Sequence, residues 1–480
     1  MSPDVRKAAR WGMNWSEVAV LDGNAVALGI SESTLMEAAG LALAEAAKEM
    51  AKGAVLVLCG PGNNGGDGFV ASRYLREWGF STAVLASHNN SRGQTAINAR
   101  DSAGEITIWP DKPEGDYSLI VDCLLGAGAG LGDSLRSPIA EVAAWARGMD
   151  VPILACDIPT GLGGPDVLTA DTTITYHSMK QGLHSSKAGE VRVSELPWPA
   201  EVEDCGPGDA KRYPRLDATA RKGDRGRLWV IGGGPYHGAP ILAGMAAARS
   251  GCDLVHVAMP SKSASRAEWP ASLIPEILPD SEMLTEDSLE AFSMAFSKRG
   301  ADAVVIGPGL GRDEKTKSAV STILQMAADI GTPVVIDADA ISALPSGKWP
   351  QGLIGVATPH AGEAERWLGE VSASQAVEGC SGEDVVIVVT GAEDLLTGPQ
   401  GRSCKATGGH PRMAVGGTGD LLAGTIGGLL AQGMPAWPAA RLGCALLRQA
   451  GARAAEQAGP GLLAEDVPVE IAKVLREWTV

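Results

Sequence analysis

Aromatic residues make up only 4% of this chain, basic residues are outnumbered by acidic ones, and no two cysteines stand at C-x-x-C spacing. Each scarcity excludes something. With so few rings, cores have to be built from Ala, Val, Leu and Ile, which suits helices packed on a sheet better than an all-β sandwich. Forty Lys and Arg against 57 Asp and Glu leave a net charge of −17. Polyanions are repelled over most of such a surface, so nucleic acid and anionic membranes are excluded as partners. Any phosphate ligand then has to be held by local amides and a few cations. Eight scattered cysteines (Cys59, Cys123, Cys156, Cys205, Cys252, Cys380, Cys404, Cys444) read as reduced buried thiols, not as a zinc site or a disulfide framework. No segment has the length and continuity of a membrane span, and Met1 to Lys7 leads into no signal-peptide core. A cytoplasmic location is expected.

What is present describes a folded, loop-rich protein. Hydrophobic residues are 45% of the chain and glycines number 62. At 480 residues the chain is too long for one ordinary core, so two or three domains are expected.

The chain is organised around Ala414 to Gly424. Gly416, Gly417, Thr418 and Gly419 precede Asp420, and an apolar Ala/Leu-rich run then continues to about Gln432. This is how a loop entering a helix reads. Glycines let the backbone approach a ligand closely, and the free N–H groups of the first turn then point at it, which suits an anion. Asp420 fits if it faces the other reactant, as a base taking a proton from a hydroxyl. Taken alone, Gly-Asp before a helix reads more commonly as a plain helix cap.

Earlier in the chain, Ser31 to Met50 reads as an amphipathic helix and Ala54 to Cys59 as a buried strand. Gly60 to Gly68 follows as a glycine-rich loop, and Phe69 to Trp78 has helical spacing. Strand, glycine loop, helix is the layout of a nucleotide site on a parallel sheet. Asn63, Asn64 and Asp67 place oxygen-bearing side chains between Gly65, Gly66 and their neighbours. They can coordinate a hard cation, hydrogen-bond a ribose and pyrophosphate, or simply form a turn. Further strands are expected at Thr82 to Ser87, Ser118 to Cys123 and Val151 to Asp157. Two of them end in aspartates, Asp122 and Asp157, at the strand end where ligands sit in open α/β sheets. Asp122 precedes the loop Gly126, Ala127, Gly128, Ala129, Gly130, Leu131, Gly132, and Asp157 precedes Thr160 and Gly161. Either aspartate alone reads as a turn residue; together beside the Asn63 to Asp67 stretch they read as one crevice.

Leu35 to Gly40, Gly60 to Gly68, Val121 to Gly128 and Asp157 to Gly161 resemble the NAD(P)H-hydrate epimerase domain, over roughly the first two hundred residues. The resemblance implies a Rossmann-like three-layer fold. It implies that the Asn63 to Asp67 and Gly126 to Gly132 loops bind hydrated nicotinamide dinucleotide. A potassium ion is implied between Asn64, Asp122 and Thr160, and Asp157 is implied to contact the substrate. Ala38 and Thr160 stand where that family commonly has Asn and Ser.

Pro197 to Gly208 has proline, glycine and acid without periodicity, as linkers do. The domains are accordingly drawn as 1–205, a linker at 206–220, and 221–480. The second domain brings strands at Asp253 to Met259, Asp302 to Gly307, Pro333 to Asp337 and Asp384 to Thr390, with helices between most of them, hence a second α/β layer fold. Its candidate site elements are Lys222 to Gly234, Gly307 to Arg312, Asp337 to Ala340, and Thr358 to Glu363. His360 and Glu363 also read as helix caps.

From about Arg221 to the end, these segments are similar to the ADP/ATP-dependent NAD(P)H-hydrate dehydratase domain, of the ribokinase-like group. The resemblance implies that Asp420 is the catalytic base and that Gly416, Gly417, Thr418 and Gly419 form an anion hole. It also implies that Ala239, Gly309 and His360 line the dinucleotide site, and that Thr390, Gly391, Ala392, Glu393 and Asp394 lie near the nucleotide. Relatives usually carry Lys-Gly where this chain has Thr390 and Gly391, so a cation is replaced, with Arg412 as its candidate substitute. The implied activity is bifunctional: epimerisation of hydrated NAD(P)H at C6 through Asp157, and dehydration at the expense of ADP or ATP through Asp420. Expected cofactors are K+ in the first domain and Mg2+ with ADP or ATP in the second. Expected partners are NAD(P)H hydrate and ADP or ATP, with no nucleic acid or membrane, and assembly as a homo-oligomer. The rival reading is a ribokinase-like small-molecule kinase fused to a non-catalytic dinucleotide-binding module.

Overall fold

Short Val/Leu/Ile runs bounded by glycine recur along the chain, and in the computed structural model each becomes a strand followed by a covering helix. The structure describes residues 13–215, 217–279, 282–380, 382 and 384–479; Met1 to Lys7, read above for a targeting signal, lies outside them. The chain divides into two compact units, 1–200 and 201–480.

The first unit holds seven strands: β1 (Ala54–Cys59), β2 (Thr82–Ala86), β3 (Thr107–Ile108), β4 (Tyr117–Cys123), β5 (Ile153–Cys156), β6 (Thr172–Tyr176) and β7 (Glu190–Ser194). All pair in parallel, in the order β3-β2-β1-β4-β5-β6-β7. Alternation along β1 sends Val55, Val57 and Cys59 into one core with Leu43, Phe69 and Leu75, while Leu56 and Leu58 enter another with Ile139 and Val142. Helices therefore cover both faces, giving three layers. The strand order reverses between β1 and β4, and a ligand crevice opens at such a switch point.

Two local findings differ from the sequence expectation. Asn63 to Asp67 is not a loop: the helix Asn63–Glu77 begins at Asn63, with Gly62 as its N-cap. Its glycines are there for close approach, because a Cβ on Gly65 would run into the carbonyl oxygen of Gly60 and one on Gly66 into the Met36 side chain. The loop proper is only Gly60 to Gly62. A further helix, Trp15–Ala27, precedes the first helix expected from the sequence and is closed at its start by a reciprocal Asn14 and Glu17 capping box.

The second unit holds β8 (Arg227–Ile231), β9 (Leu254–Pro260), β10 (Leu273–Leu278), β11 (Ala303–Ile306), β12 (Val334–Ile336), β13 (Gly355–Ala357), β14 (Val385–Val389), β15 (Asp394–Thr397) and β16 (Ser403–Ala406). Their order is β10-β9-β8-β11-β12-β13-β14-β15-β16, parallel through β14 and antiparallel in the last two pairings. Leu228, Val230, Val305, Val335 and Val386 face helices 418–431 and 436–458; Trp229, Ile231, Val304, Ile336 and Ile387 face the opposite layer.

The helix Thr418–Ala431 is buried along Leu421 to Ala431. Three of its glycines allow that. A Cβ on Gly424 would run into the Ala243 carbonyl oxygen, one on Gly427 into Val305, and one on Gly428 into Ser250. Much of the 206–220 stretch, read as linker, is built into this unit: Asp209, fully buried, receives Arg441 Nε at 2.6 Å. Arg441 also donates to the carbonyls of Glu203 and Asp204, both at 2.9 Å. All eight cysteines are free thiols. Among the described residues no helix is long and apolar enough to cross a membrane.

Candidate active sites

At the switch point of the first unit lies a cavity of about 510 Å³. Asn63, Asn64 and Asp67 from the helix start line it, as do Gly126, Ala127, Gly128, Ala129 and Asp157. Gly65, Gly66, Gly130, Leu131 and Gly132 of the expected set are not among the lining residues. The helix start and the Gly126 loop meet at Asn64, whose side chain packs against Gly126.

Beneath the cavity Asp122 and Thr160 are both fully buried. Thr160 donates to Asp122 twice, through its amide at 2.8 Å and its hydroxyl at 2.7 Å. Burial pushes the Asp122 carboxyl up to about 6, against the opposing pull of those bonds. The Asn64 amide nitrogen is buried with no hydrogen-bond partner. That nitrogen is not a ligand; a hard cation takes oxygens, and the oxygens these residues offer are the Asn64 side-chain carbonyl, the Asp122 carboxylate and the Thr160 hydroxyl.

Asp157 sits just beyond β5 with φ of 65°, a left-handed conformation that a non-glycine residue keeps only when its surroundings hold it there. Its Oδ2 accepts from Ala127 N at 3.1 Å and its Oδ1 from Thr175 Oγ1 at 3.2 Å. The ammonium of Lys180 lies 3.4 Å from Oδ1 and is only 4% exposed. Asp67, half-buried on the cavity lining, is pushed well above the carboxylate range by burial and then by the charges of Asp157 and Asp22.

Sequence reasoning missed Lys180, Asp22, Trp15, His177 and Trp198, which line the same cavity. A lysine soon after the fully buried strand β6 was the one legible hint for Lys180. Asp22 and Trp15 carry no local motif, since only the fold brings their helix to the site.

In the second unit Asp420 occupies the third position of helix Thr418–Ala431, behind Gly417 at φ 100°. Its carboxyl is pushed up to about 7, first by burial and then by the nearby charges of Asp337 and Asp339. Asp337, buried at the end of β12, is raised to about 6 by burial, although Thr358 Oγ1 donates to it at 2.8 Å. Asp339 accepts from Gly311 N at 2.9 Å and from Arg312 Nε at 3.0 Å. Four expected elements therefore converge here: the Gly416 to Asp420 start, Gly309 to Arg312, Asp337 to Ala340, and Glu363, whose charge also raises Asp337. Gly309 abuts the Tyr236 carbonyl, close to Ala239 at the start of helix Gly238–Arg249.

His360 serves as the N-cap of helix Ala361–Leu368: its Nδ1 accepts from Gly362 N at 3.0 Å while Glu363 accepts from His360 N at 3.1 Å. The Thr390 to Asp394 turn hangs on Arg448, buried at 8% exposure. That guanidinium reaches Asp394 at 2.7 and 2.8 Å and donates to the carbonyls of Gly391, Ala392 and Gly408 at 2.9, 2.7 and 2.9 Å. Asp394 is thus neutralised and turned inward. Glu393 pairs with Lys405 at 3.2 Å. Arg412, the candidate for the replaced cation, spends its Nε on the Pro460 carbonyl.

A Rossmann-like unit with a dinucleotide-sized cavity and a second α/β unit with a carboxylate behind a glycine-opened helix define a two-site α/β enzyme. The comparisons identify which. Residues 32–182 match the model for the YjeF-related protein N-terminus, and residues 228–473 match that for NAD(P)H-hydrate dehydratase. The chain is 33% identical to the bifunctional NAD(P)H-hydrate repair enzyme Nnr of Hyperthermus butylicus, over 96% of this chain and 91% of that protein. It is 34% identical to the enzyme of the same name from Escherichia coli, over 87% and 84%. The ADP/ATP-dependent NAD(P)H-hydrate dehydratase structure from Bacillus subtilis, co-crystallised with ATP and Mg2+, aligns with 56% of this chain and 96% of that one. Its TM-score is 0.46 at 24% identity. The chain belongs to the family of bifunctional NAD(P)H-hydrate repair enzymes.

Proposed function

We propose that the first unit epimerises hydrated NAD(P)H at C6 and that the second dehydrates it to NAD(P)H at the expense of ADP or ATP. The observation that carries the second half is Asp420: a carboxylate beside the amides of a helix start, in a neighbourhood that raises it to about 7. A base is most effective when its pKa lies near the working pH. In the proposed reaction Asp420 takes the proton of the C6 hydroxyl as that oxygen attacks the terminal phosphoryl group, whose charge the amides of Gly416 to Gly419 receive. Phosphate, unlike hydroxide, is then a good leaving group, so the nucleotide's energy drives loss of the C6 oxygen. Ala239, Gly309 and His360 are assigned to the dinucleotide and Thr390 to Asp394 to the nucleotide, the Asp394 carboxylate of that turn being committed to Arg448. Mg2+ enters with the nucleotide, neutralising phosphate charge.

In the first unit, Asn63 to Asp67 and Gly126 to Gly132 are assigned to the dinucleotide and Asp157 to the reacting ring. Asn64, Asp122 and Thr160 would hold a potassium ion, which supplies charge compensation for Asp122 and ties the two loops together. One epimerase unit followed by one dehydratase unit, with most of 206–220 counted in the second instead of as a linker, assembly as a homo-oligomer, and a cytoplasmic location belong to the same proposal.

The test is recovery of dihydronicotinamide near-ultraviolet absorbance from a mixed-epimer NADH hydrate, with Mg2+ and K+, comparing ADP, ATP and no nucleotide. Nearly full recovery, beyond a no-enzyme control for spontaneous epimerisation, is expected. A plateau near the fraction of one epimer would remove the epimerase half; a stable phosphorylated product would move the second unit to the kinase reading.

A further inference from the structure

Five residues of the N-terminal segment, Met13, Trp15, Val18, Leu21 and Asp22, line the cavity of the first unit. The segment precedes the stretch that matches the family model, which begins at residue 32. It is nonetheless fixed to the site. Met13 N donates to Met179 O at 2.8 Å and Gln181 N to Met13 O at 3.1 Å, so the segment is stitched on either side of Lys180. At the start of its helix, Trp15 packs so tightly on the glycine loop that a Cβ on Gly128 would meet the indole nitrogen at 2.6 Å. Asp22 follows two turns on, half-buried, and lines the same cavity as Asp157.

Resting on the reading of Asp157 as the group at the reacting ring, we infer that Asp22 is the second proton-exchanging carboxylate of the epimerase site, with Lys180 as the positioning residue whose ammonium both carboxylates face. Epimerisation at C6 has to break and remake one bond on a carbon flanked by N1. Asp22 gives its proton to the C6 hydroxyl as the C6–O bond breaks, and the N1 lone pair forms the C6=N1 double bond. Water leaves and a water returns to the other face, giving its proton to Asp157 as the new C6–O bond forms. The proton then passes back from Asp157 to Asp22, so no acid, base or redox equivalent is consumed.

The division of labour follows from the surroundings. Asp157 accepts from Ala127 N and Thr175 Oγ1 and pairs with the Lys180 ammonium. Lys180 is held by the Tyr176 and Ser178 carbonyls as well, so its three donors are committed. Asp22 faces Lys180, Asp157 and Glu32, with Asp67 and His177 on the same cavity. Burial outweighs Lys180 there and holds its carboxyl at about 6, so it still carries a proton in mildly acidic solution. The cavity thus holds one carboxylate paired with a cation and a second one raised by burial, two environments of the kind an acid and base pair requires.

The experiment follows a single purified epimer of NADH hydrate without nucleotide, so that the second unit is silent, and resolves the epimers chromatographically. Asp22→Asn should lower kcat by about 10²-fold or more with KM within about threefold, and should remove the fall in rate on the alkaline side of the pH profile. Lys180→Met should lower kcat and shift that profile, with Lys180→Arg restoring part of both. An Asp22→Asn enzyme keeping more than about a third of the wild-type kcat overturns the inference. If Asp157→Asn also keeps its rate, the reading beneath it fails as well; if Asp157→Asn alone is inactive, only Asp22 is wrongly assigned. A readout on the unaltered enzyme stands beside these: in ¹⁸O-labelled water each inversion should place one labelled oxygen at C6. Inversion without label overturns the proposed bond-breaking step whatever the variants do.

Discussion

Arg448→Met tests whether the candidate nucleotide turn is built from a buried charge. The guanidinium makes a two-point pair with Asp394, at 2.7 and 2.8 Å, with both side chains at or below 10% exposure. Three backbone carbonyls, those of Gly391, Ala392 and Gly408, also depend on it. Removing one partner of such a pair costs about 3–5 kcal/mol, because the other charge stays buried without compensation. For a unit of this size that corresponds to a midpoint lower by roughly 6–20 °C in thermal unfolding of the intact chain. The double variant Arg448→Met with Asp394→Leu should recover most of that loss, since an apolar pair of similar volume is often as stable as the ion pair. It should not recover nucleotide-dependent turnover, because the three carbonyls still lack their donor and the turn loses its shape. Differential scanning calorimetry and the NADH-hydrate recovery assay read the two effects separately. A single variant within about 1 kcal/mol of wild type, or a double variant with full activity at low nucleotide, would refute this account of the turn.

Asp420→Asn should lower nucleotide-dependent recovery by about 10²–10⁴-fold while leaving epimerisation intact; in the unaltered enzyme that rate should fall as pH drops through about 7, where the base takes up its proton. The same variant should raise the melting temperature more at pH 8 than at pH 5. A carboxyl whose folded pKa is raised destabilises the fold as pH rises from its ordinary range through about 7, and Asn removes that penalty. Thr160→Val, which deletes the hydroxyl donated to Asp122, should abolish potassium activation of epimerisation, and Thr160→Ser should keep it; rates with and without K+ decide. Gly65→Ala, which drives a Cβ into the Gly60 carbonyl, should cost about 1–3 kcal/mol and displace Asn63 to Asp67, seen as a raised KM for the hydrate.

Strands were the most legible part of the fold, since apolar runs such as Ala54 to Cys59 and Val385 to Val389 have one plausible fate when glycine follows them. Their ends also gave the crevice, because Asp122 and Asp157 mark strand termini. Helix starts were read less well. Asn63 to Asp67 carries three poor helix formers and two glycines, so local propensity points to a loop, and only the contacts of Gly65 and Gly66 with Gly60 and Met36 explain the helix. Long-range charge pairing was not legible at all. Nothing near Thr390 announces Arg448, 54 residues beyond Asp394, and without it Glu393 and Asp394 look like two carboxylates facing a phosphate. The same holds for Lys180 and Asp22, which reach Asp157 only through the fold.

The Asp420 environment also shows which electrostatic effect governs the second site. A carboxylate in the first turn of a helix is favoured by the helix dipole, by about 0.3–1 kcal/mol and at most about 2. Yet Asp420 rises from the ordinary 3.8 to about 7, which amounts to roughly 4 kcal/mol against its charged form. Burial and the charges of Asp337 and Asp339 therefore outweigh the dipole. The glycines of Thr418–Ala431 are the origin of this. By letting the helix sink onto Ala243, Val305 and Ser250, they carry its first turn down among the strand-end carboxylates, where a group that would be an exposed cap becomes a carboxyl raised to about 7, the range the proposed base needs. Filling Gly424 with a methyl group should reverse the tuning before it destroys the fold: as the helix start is pushed toward water, the pH at which activity is half-lost should move down from about 7 toward the ordinary carboxylate range.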